Sequence, residues 1–286
     1  MGGRRTHAAV ASLALVLVPA APAPTADLKP ATLAAFERYV ALTEARMAGE
    51  QSGAAPFLRV DRQADPGRKA ILNRLRMGEV VSVRLTTLDG RREIDVPDGL
   101  IHHWVGTVLL PGATMARVQA FVRDYAQYPK HFEPMIQRAR VLKEAPDRFD
   151  VTMRTWAKKV ITVVLDADYA VEYRSLSPMR VVTRSVASNI FEVDDAGEPG
   201  EKRTPADKGR GYLWRLNTYC WFDERPEGVY EQCESVSLTR DVPFGLGWLI
   251  KPFITSIPRD TLEFTLGQVR VGVTQARALP VLRPAL

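Results

Sequence analysis

The chain has 286 residues, 46% hydrophobic and 25% charged, an ordinary globular composition with enough length for one large or two small domains. Its 39 basic and 33 acidic residues leave a formal charge of +6, with no Lys/Arg block and no basic–aromatic interleaving, which argues against nucleic acid as a partner. Four His and two Cys without ligand-like spacing give no reason to expect a metal, and no phosphate loop or dinucleotide fingerprint calls for a cofactor.

Arg4 and Arg5, the apolar run 8–18 and the small residues 19–26 form the three zones of a secretory signal. The apolar run is too short to span a bilayer, so cleavage is expected, with a mature N-terminus between about residues 20 and 27. Export to the periplasm or beyond follows, and the mature charge falls from +6 to +4 with the loss of Arg4 and Arg5.

Residues 27–98 read as an N-terminal extension. A helix over 31–47 carries Leu33, Phe36, Val40 and Met47 roughly on one side, and a shorter helix covers 69–76. Two strand-like runs, 80–88 and 91–96, meet at Asp89-Gly90, a favoured hairpin pair. Pro97-Asp98-Gly99 then breaks the chain. The main unit, 99–274, opens with a strand over 100–110, a helix over 114–125 and a short helical piece over 128–136. Strands follow over 138–143, 148–157, 160–174, 179–193, 211–222 and 229–239. Residues 194–210 are too rich in Gly, Pro and charge to bury much, and are expected to form a mobile hairpin loop.

The last helix is expected to begin near Pro258, with Leu262, Leu266, Val269 and Val273 forming one apolar stripe. The apolar run before it, 243–254, is punctuated by Gly245, Gly247 and Pro252 and suits a lid, with Trp248 and Phe253 as its contact residues. Residues 275–286 lack periodicity and are expected to fray.

The turn Arg225-Pro226-Glu227-Gly228 suits a three-residue hairpin loop with residue 225 opposite 229. In that register Cys220 faces Glu234 while Cys233 faces Trp221 on the other side of the sheet, so two free thiols are expected. It also sets Trp214, Leu216, Phe222, Val236 and Leu238 on one apolar face around Glu234. A carboxylate there would have a raised pKa, as a general acid or a ligand anchor does, unless it is paired with an arginine such as Arg184 or Arg215. His102 and His103 are neighbours in a strand and point to opposite faces, so they cannot share an ion; one is expected at the surface and one packed. Asp166 and Asp168 share a face but alternate with apolar residues, which places them on the solvated side.

Strand, two helices, six strands and a long helix make an α+β pattern: an antiparallel sheet curled around a C-terminal helix. The stretch VGTVLLPGATMARVQAFVRDYAQYPKHFEPMIQRARVL and the Ile257-Pro258 helix start resemble the START-like or polyketide cyclase-like (SRPBCC, helix-grip) superfamily over about residues 100–273. That resemblance implies an apolar ligand held between sheet and last helix. The side chains expected to line such a site are Met153, Tyr169, Tyr173, Trp214, Glu234, Trp248, Phe253, Leu262 and Leu266. The reading is an exported binding or carrier protein for an apolar small molecule or lipid, with transient contact to a membrane surface. The alternatives are a cyclase/dehydratase-type enzyme using Glu234 as pocket acid, or an envelope protein-interaction module.

Overall fold

The computed structural model describes residues 25–51, 55–159, 161–241 and 247–275, with the side chains of 188 and 247–254 left out. In chain order the elements are α1 (Pro30–Gly49), α2 (Gly67–Arg76), β1 (Val81–Arg84), β2 (Leu88–Asp89), β3 (Arg92–Glu93) and β4 (Gly99–Pro111). Then come α3 (Met115–Arg123), α4 (Tyr128–His131), β5 (Ile136–Ala145), β6 (Arg148–Lys158), β7 (Thr162–Ser177) and β8 (Arg180–Asp194). The chain closes with β9 (Lys202–Arg203), β10 (Arg215–Arg225), β11 (Gly228–Arg240) and α5 (Gly247–Gln275).

The main sheet runs β1-β4-β11-β10-β8-β7-β6-β5, every neighbour antiparallel, with short β9 paired to the end of β8. Each consecutive strand from β5 to β8 is a hairpin partner of the last, so the long strands need little loop. The first long strand, β4, is reached from β11 only at the end of the chain, and this brings α5 back across the sheet. Leu262, Leu266, Val269 and Val273 are all buried in the core on that side, as the stripe predicts. The sheet therefore grips one helix, and the architecture is the expected α+β helix-grip.

The helix itself starts earlier than expected. α5 begins at Gly247, not near Pro258, and both Pro252 and Pro258 lie inside it. Each proline removes one N–H bond, a loss sustained because packing, more than propensity, holds helices in folded proteins. The side chains of the expected lid, Trp248 and Phe253 among them, lie outside the described residues, as does the tail 276–286.

The face of the sheet away from α5 is covered too. α1, α2 and the turn at Arg59–Arg62 lie on it, burying Phe36, Tyr39, Met47, Leu58, Val60, Leu72 and Leu75 with Trp221, Tyr230, Val236 and Leu238 of the sheet. The central strands are thus buried on both faces.

The β10–β11 hairpin corrects the expected register. Arg225 pairs with Gly228, not with residue 229, leaving Pro226-Glu227 as a two-residue loop. Gly228 belongs to the strand: it has φ +135° and pairs with Pro111, where a Cβ would sit 2.2 Å from the Leu110 carbonyl oxygen. Only glycine fits there. The shift of one residue moves every partner to the other face. Cys220 now stands opposite Cys233, and the two form a disulfide rather than the two free thiols expected. Leu216 and Phe222 part company with Val236 and Leu238, and Trp214 packs with the latter pair on the outer side.

The 194–210 segment is also better tied than its composition implies. Arg154, only 4% exposed, holds Asp166 (2.7 and 2.8 Å) and Glu201 (2.7 and 2.8 Å) in two bidentate pairs, anchoring the segment to β6 and β7. Glu192 accepts from the backbone N–H groups of Arg210 (2.8 Å) and Tyr212 (3.0 Å). Asp166 therefore serves an ion cluster rather than a solvated face, while Asp168 meets Asn189 at 3.4 Å.

Candidate functional site

The inner face, toward α5, is built from alternate residues of neighbouring strands. β4 supplies Trp104, Gly106 and Val108. β11 sets Cys233 opposite Gly106 and Glu231 opposite Val108, and β10 continues the rows with Cys220 and Phe222. Gly106 lets the helix come close: a Cβ there would stand 2.6 Å from Leu266 Cδ1.

One end of this face is closed. Tyr125, Tyr128, Phe132, Phe149 and Tyr173 pack ring to ring, with Tyr125–Phe149 centroids 5.3 Å apart and Phe149 edge-on to Tyr173 at 5.7 Å. Tyr173 (3.0 Å) and Tyr128 (2.7 Å) both donate to the Val122 carbonyl, and the Tyr125 and Tyr173 hydroxyls are 2.8 Å apart. Burial pushes the Tyr128 phenol well above its usual range and that of Tyr173 to about 12, so both stay neutral.

The rest of the face is less tightly filled among the described residues. Trp104, Met153, Tyr169 and Cys220 are only partly buried, although they lie on interior strands of the sheet. A cleft of about 220 Å³ lies between Met135 and Trp156 and the Ile257, Thr261 and Phe264 side of α5. Lys159 pairs with Asp260 at the rim, and Arg259 lies over Trp104 at 5.9 Å.

Glu231 stands on this face opposite Val108 and Phe222, within the field of the Tyr128 and Tyr173 hydroxyls. It is 3% exposed, and its Oε2 has no hydrogen-bond partner among the described residues. Its Oε1 lies 3.5 Å from Cys233 Sγ, a disulfide sulfur with no proton to give. Burial pushes this carboxyl up to about 8. Cys220, Glu231 and Cys233 bring ligand-type atoms within 4.8 Å of one another, yet both sulfurs are spent on their mutual bond.

The residues expected to line the ligand site divide between the faces. Met153, Tyr169, Tyr173, Leu262 and Leu266 lie on the inner face. Trp214 and Glu234 lie on the outer one; Glu234 is opposite Tyr219, not Cys220. There it is the acceptor of a buried relay. His103 Nε2 donates to Glu234 Oε1 (2.7 Å), the Tyr39 hydroxyl meets His103 Nδ1 (2.9 Å), and the Thr87 N–H donates to the Tyr39 oxygen (2.8 Å). Arg46 of α1 pairs with Glu234, the arginine partner that sequence sought in Arg184 or Arg215. Arg184 pairs with Glu44 instead, and Arg215 with Asp207. The relay fastens the extension to the sheet, beside a polar cavity of about 380 Å³ lined by Tyr39, Arg84, Thr87 and Glu93.

His102 and His103 do point to opposite faces, but neither is at the surface: both are 2% exposed. His102 meets Thr239 Oγ1 at 2.9 Å, and burial, helped by the charge of Arg84, brings its pKa down to about 4.

Sequence reasoning overlooked Glu231. Its one signal was its place in the alternation Val229, Glu231, Cys233, an acid among residues that share the α5 face.

No protein-family model matches the chain, and no curated protein sequence matches it. Solved structures do. A STAR-related lipid transfer protein from Xanthomonas axonopodis is 16% identical, covering 67% of this chain and 99% of its own, with a TM-score of 0.43. The Zhui aromatase/cyclase from Streptomyces is 12% identical over 62% of this chain and 96% of its own, TM-score 0.42. A START superfamily protein from Mycobacterium smegmatis is 11% identical over 70% and 99%, TM-score 0.37. The helix-grip architecture of this chain rests on its own sheet order and on the buried stripe of α5.

Proposed function

We infer that the protein is an exported binding or carrier protein for an apolar small molecule or lipid, held between the sheet and α5. The observation that carries this reading is the incomplete filling of the inner face. Trp104, Met153 and Tyr169 stand on interior strands, on the α5 side of the sheet, yet stay partly exposed, and a separate apolar cleft lies between Trp156 and Phe264 of α5. Large apolar side chains left partly accessible on a sheet face gripped by a helix are what an apolar ligand could cover. Export rests on the three-zone N-terminal segment, and a membrane surface is the natural donor of such a ligand. No described helix is long and apolar enough to cross a membrane.

Glu234, the acid on which the enzyme alternative rests, is turned to the other face and paired with His103 and Arg46. The carrier reading is tested by native mass spectrometry of protein purified from its own host. A co-purifying apolar molecule, displaced by a neutral fluorescent probe such as N-phenyl-1-naphthylamine, is the expected result. Failure of the purified protein to bind either the host's extracted lipids or the probe overturns it.

A further inference from the structure

Glu231 is a buried carboxyl whose Oε2 has no hydrogen-bond partner among the described residues, and it lies on the face where the proposed ligand would sit. Among the described residues no cation pairs with it. Val108 flanks it on β4 and Phe222 on β10, and α5 turns Leu262, Leu266 and Val269 toward this core. The titratable groups whose field it shares are the hydroxyls of Tyr128 from α4 and Tyr173 from β7. Both hydroxyls already donate to the Val122 carbonyl. The disulfide beside it offers neither proton nor charge. With no ion pair among the described residues, the neutral acid is the stable form in this environment. A neutral carboxyl is a hydrogen-bond donor, and among the described residues Oε2 of this one meets no acceptor.

A buried polar group left unmatched in a native fold calls for an explanation. An ammonium head group would require a desolvated ion pair, whose burial costs both partners their water. A ligand carboxylate would be a buried anion with no cation beside it among the described residues. A carbonyl oxygen needs neither, accepting the proton while the apolar body covers Trp104, Met153 and Tyr169.

We propose that Glu231 is the polar anchor of the inner-face site, donating its carboxyl proton to the carbonyl oxygen of an apolar ester or ketone. The proposal rests on the carrier reading, and the experiment separates the two. Four probes of equal chain length, hexadecane, methyl palmitate, palmitate and hexadecylamine, compete at pH 6.5 against N-phenyl-1-naphthylamine. They are tested on the wild type, Glu231→Gln and Glu231→Leu, with circular dichroism confirming that each is folded. Wild type should bind the methyl ester roughly tenfold more tightly than the alkane, the worth of one buried hydrogen bond. Glu231→Leu should lose that preference while keeping the alkane, and Glu231→Gln, which retains an N–H donor, should keep most of it. In the wild type alone the preference should fade above pH 8 as the acid ionises, which tests the anchor even if a variant misfolds. An ester preference that persists in Glu231→Leu, or a preference for palmitate or the amine, overturns the anchor. Equal binding of alkane and ester by wild type also overturns it, while leaving the carrier reading standing. Absence of binding by every probe and by the fluorophore overturns both.

Discussion

Replacing Glu231 by Gln should make the protein more stable at neutral pH, and increasingly so as pH rises. An ordinary carboxyl titrates at 4.5, and burial moves this one to about 8. Between those values the unfolded chain has released the proton while the folded chain still holds it. Stability therefore falls with rising pH across that window and is flat outside it. Each pH unit inside the window costs about 1.4 kcal/mol, so the loss reaches about 3 kcal/mol at pH 7 and about 5 kcal/mol above pH 8. Gln keeps the shape and the hydrogen-bonding capacity without the ionisation. The assay is urea unfolding of both proteins at half-unit steps from pH 4.5 to 8.5. The gap between variant and wild type should be smallest at the acid end and widen steadily to pH 8. A gap that does not change with pH would mean the folded protein already holds Glu231 ionised, and the reasoning about its isolation would be wrong.

Unfolded, unreduced protein should titrate no free thiol at Cys220 and Cys233, and reduction should cost about 3 kcal/mol for a loop of this length. Gly106→Leu should cost about 1–3 kcal/mol by driving Leu266 off its seat, read as a lowered urea midpoint. Arg154→Met should leave Asp166 and Glu201 without their shared partner and open the 194–210 segment to limited proteolysis; a cleavage pattern like that of wild type would refute its anchoring role. His102, with its pKa lowered to about 4, should make stability fall as pH drops below 6.5, levelling off near 4; His102→Gln should abolish that step.

The order of elements was readable because most of them carry their own punctuation. Pro111-Gly112 ends β4, Thr114 caps α3, and the Leu262-to-Val273 stripe needs only one face. What resisted reading was the register of β11. Alternation marks a strand's inward face only when the other face is wet. Here Val229, Glu231 and Cys233 meet the α5 side, while Tyr230, Val236 and Leu238 meet α1 and α2. Both phases are therefore apolar, and hydrophobicity favours neither. The decision fell to Gly228, whose tight approach to the Leu110 carbonyl becomes visible only once β4 is in place. Glu231 and Glu234 are three residues apart and on opposite faces, so a slip of one residue against Cys220 singled out the wrong acid. The prolines of α5 misled for a simpler reason: local rules put a helix start at Pro258, and packing overrode them.

The double covering of the sheet also restricts how the chain can be divided. A fragment beginning near Gly99 would keep every long strand and α5. It would also bare Leu109, Trp221, Tyr230, Val236 and Leu238 in one continuous apolar sheet surface, and strip Glu234 and His103 of Tyr39 and Arg46. A surface of that kind does not stay in water unpaired. Such a fragment should self-associate or fail to fold, whereas the same cut in a protein with a polar outer face would yield a soluble monomer.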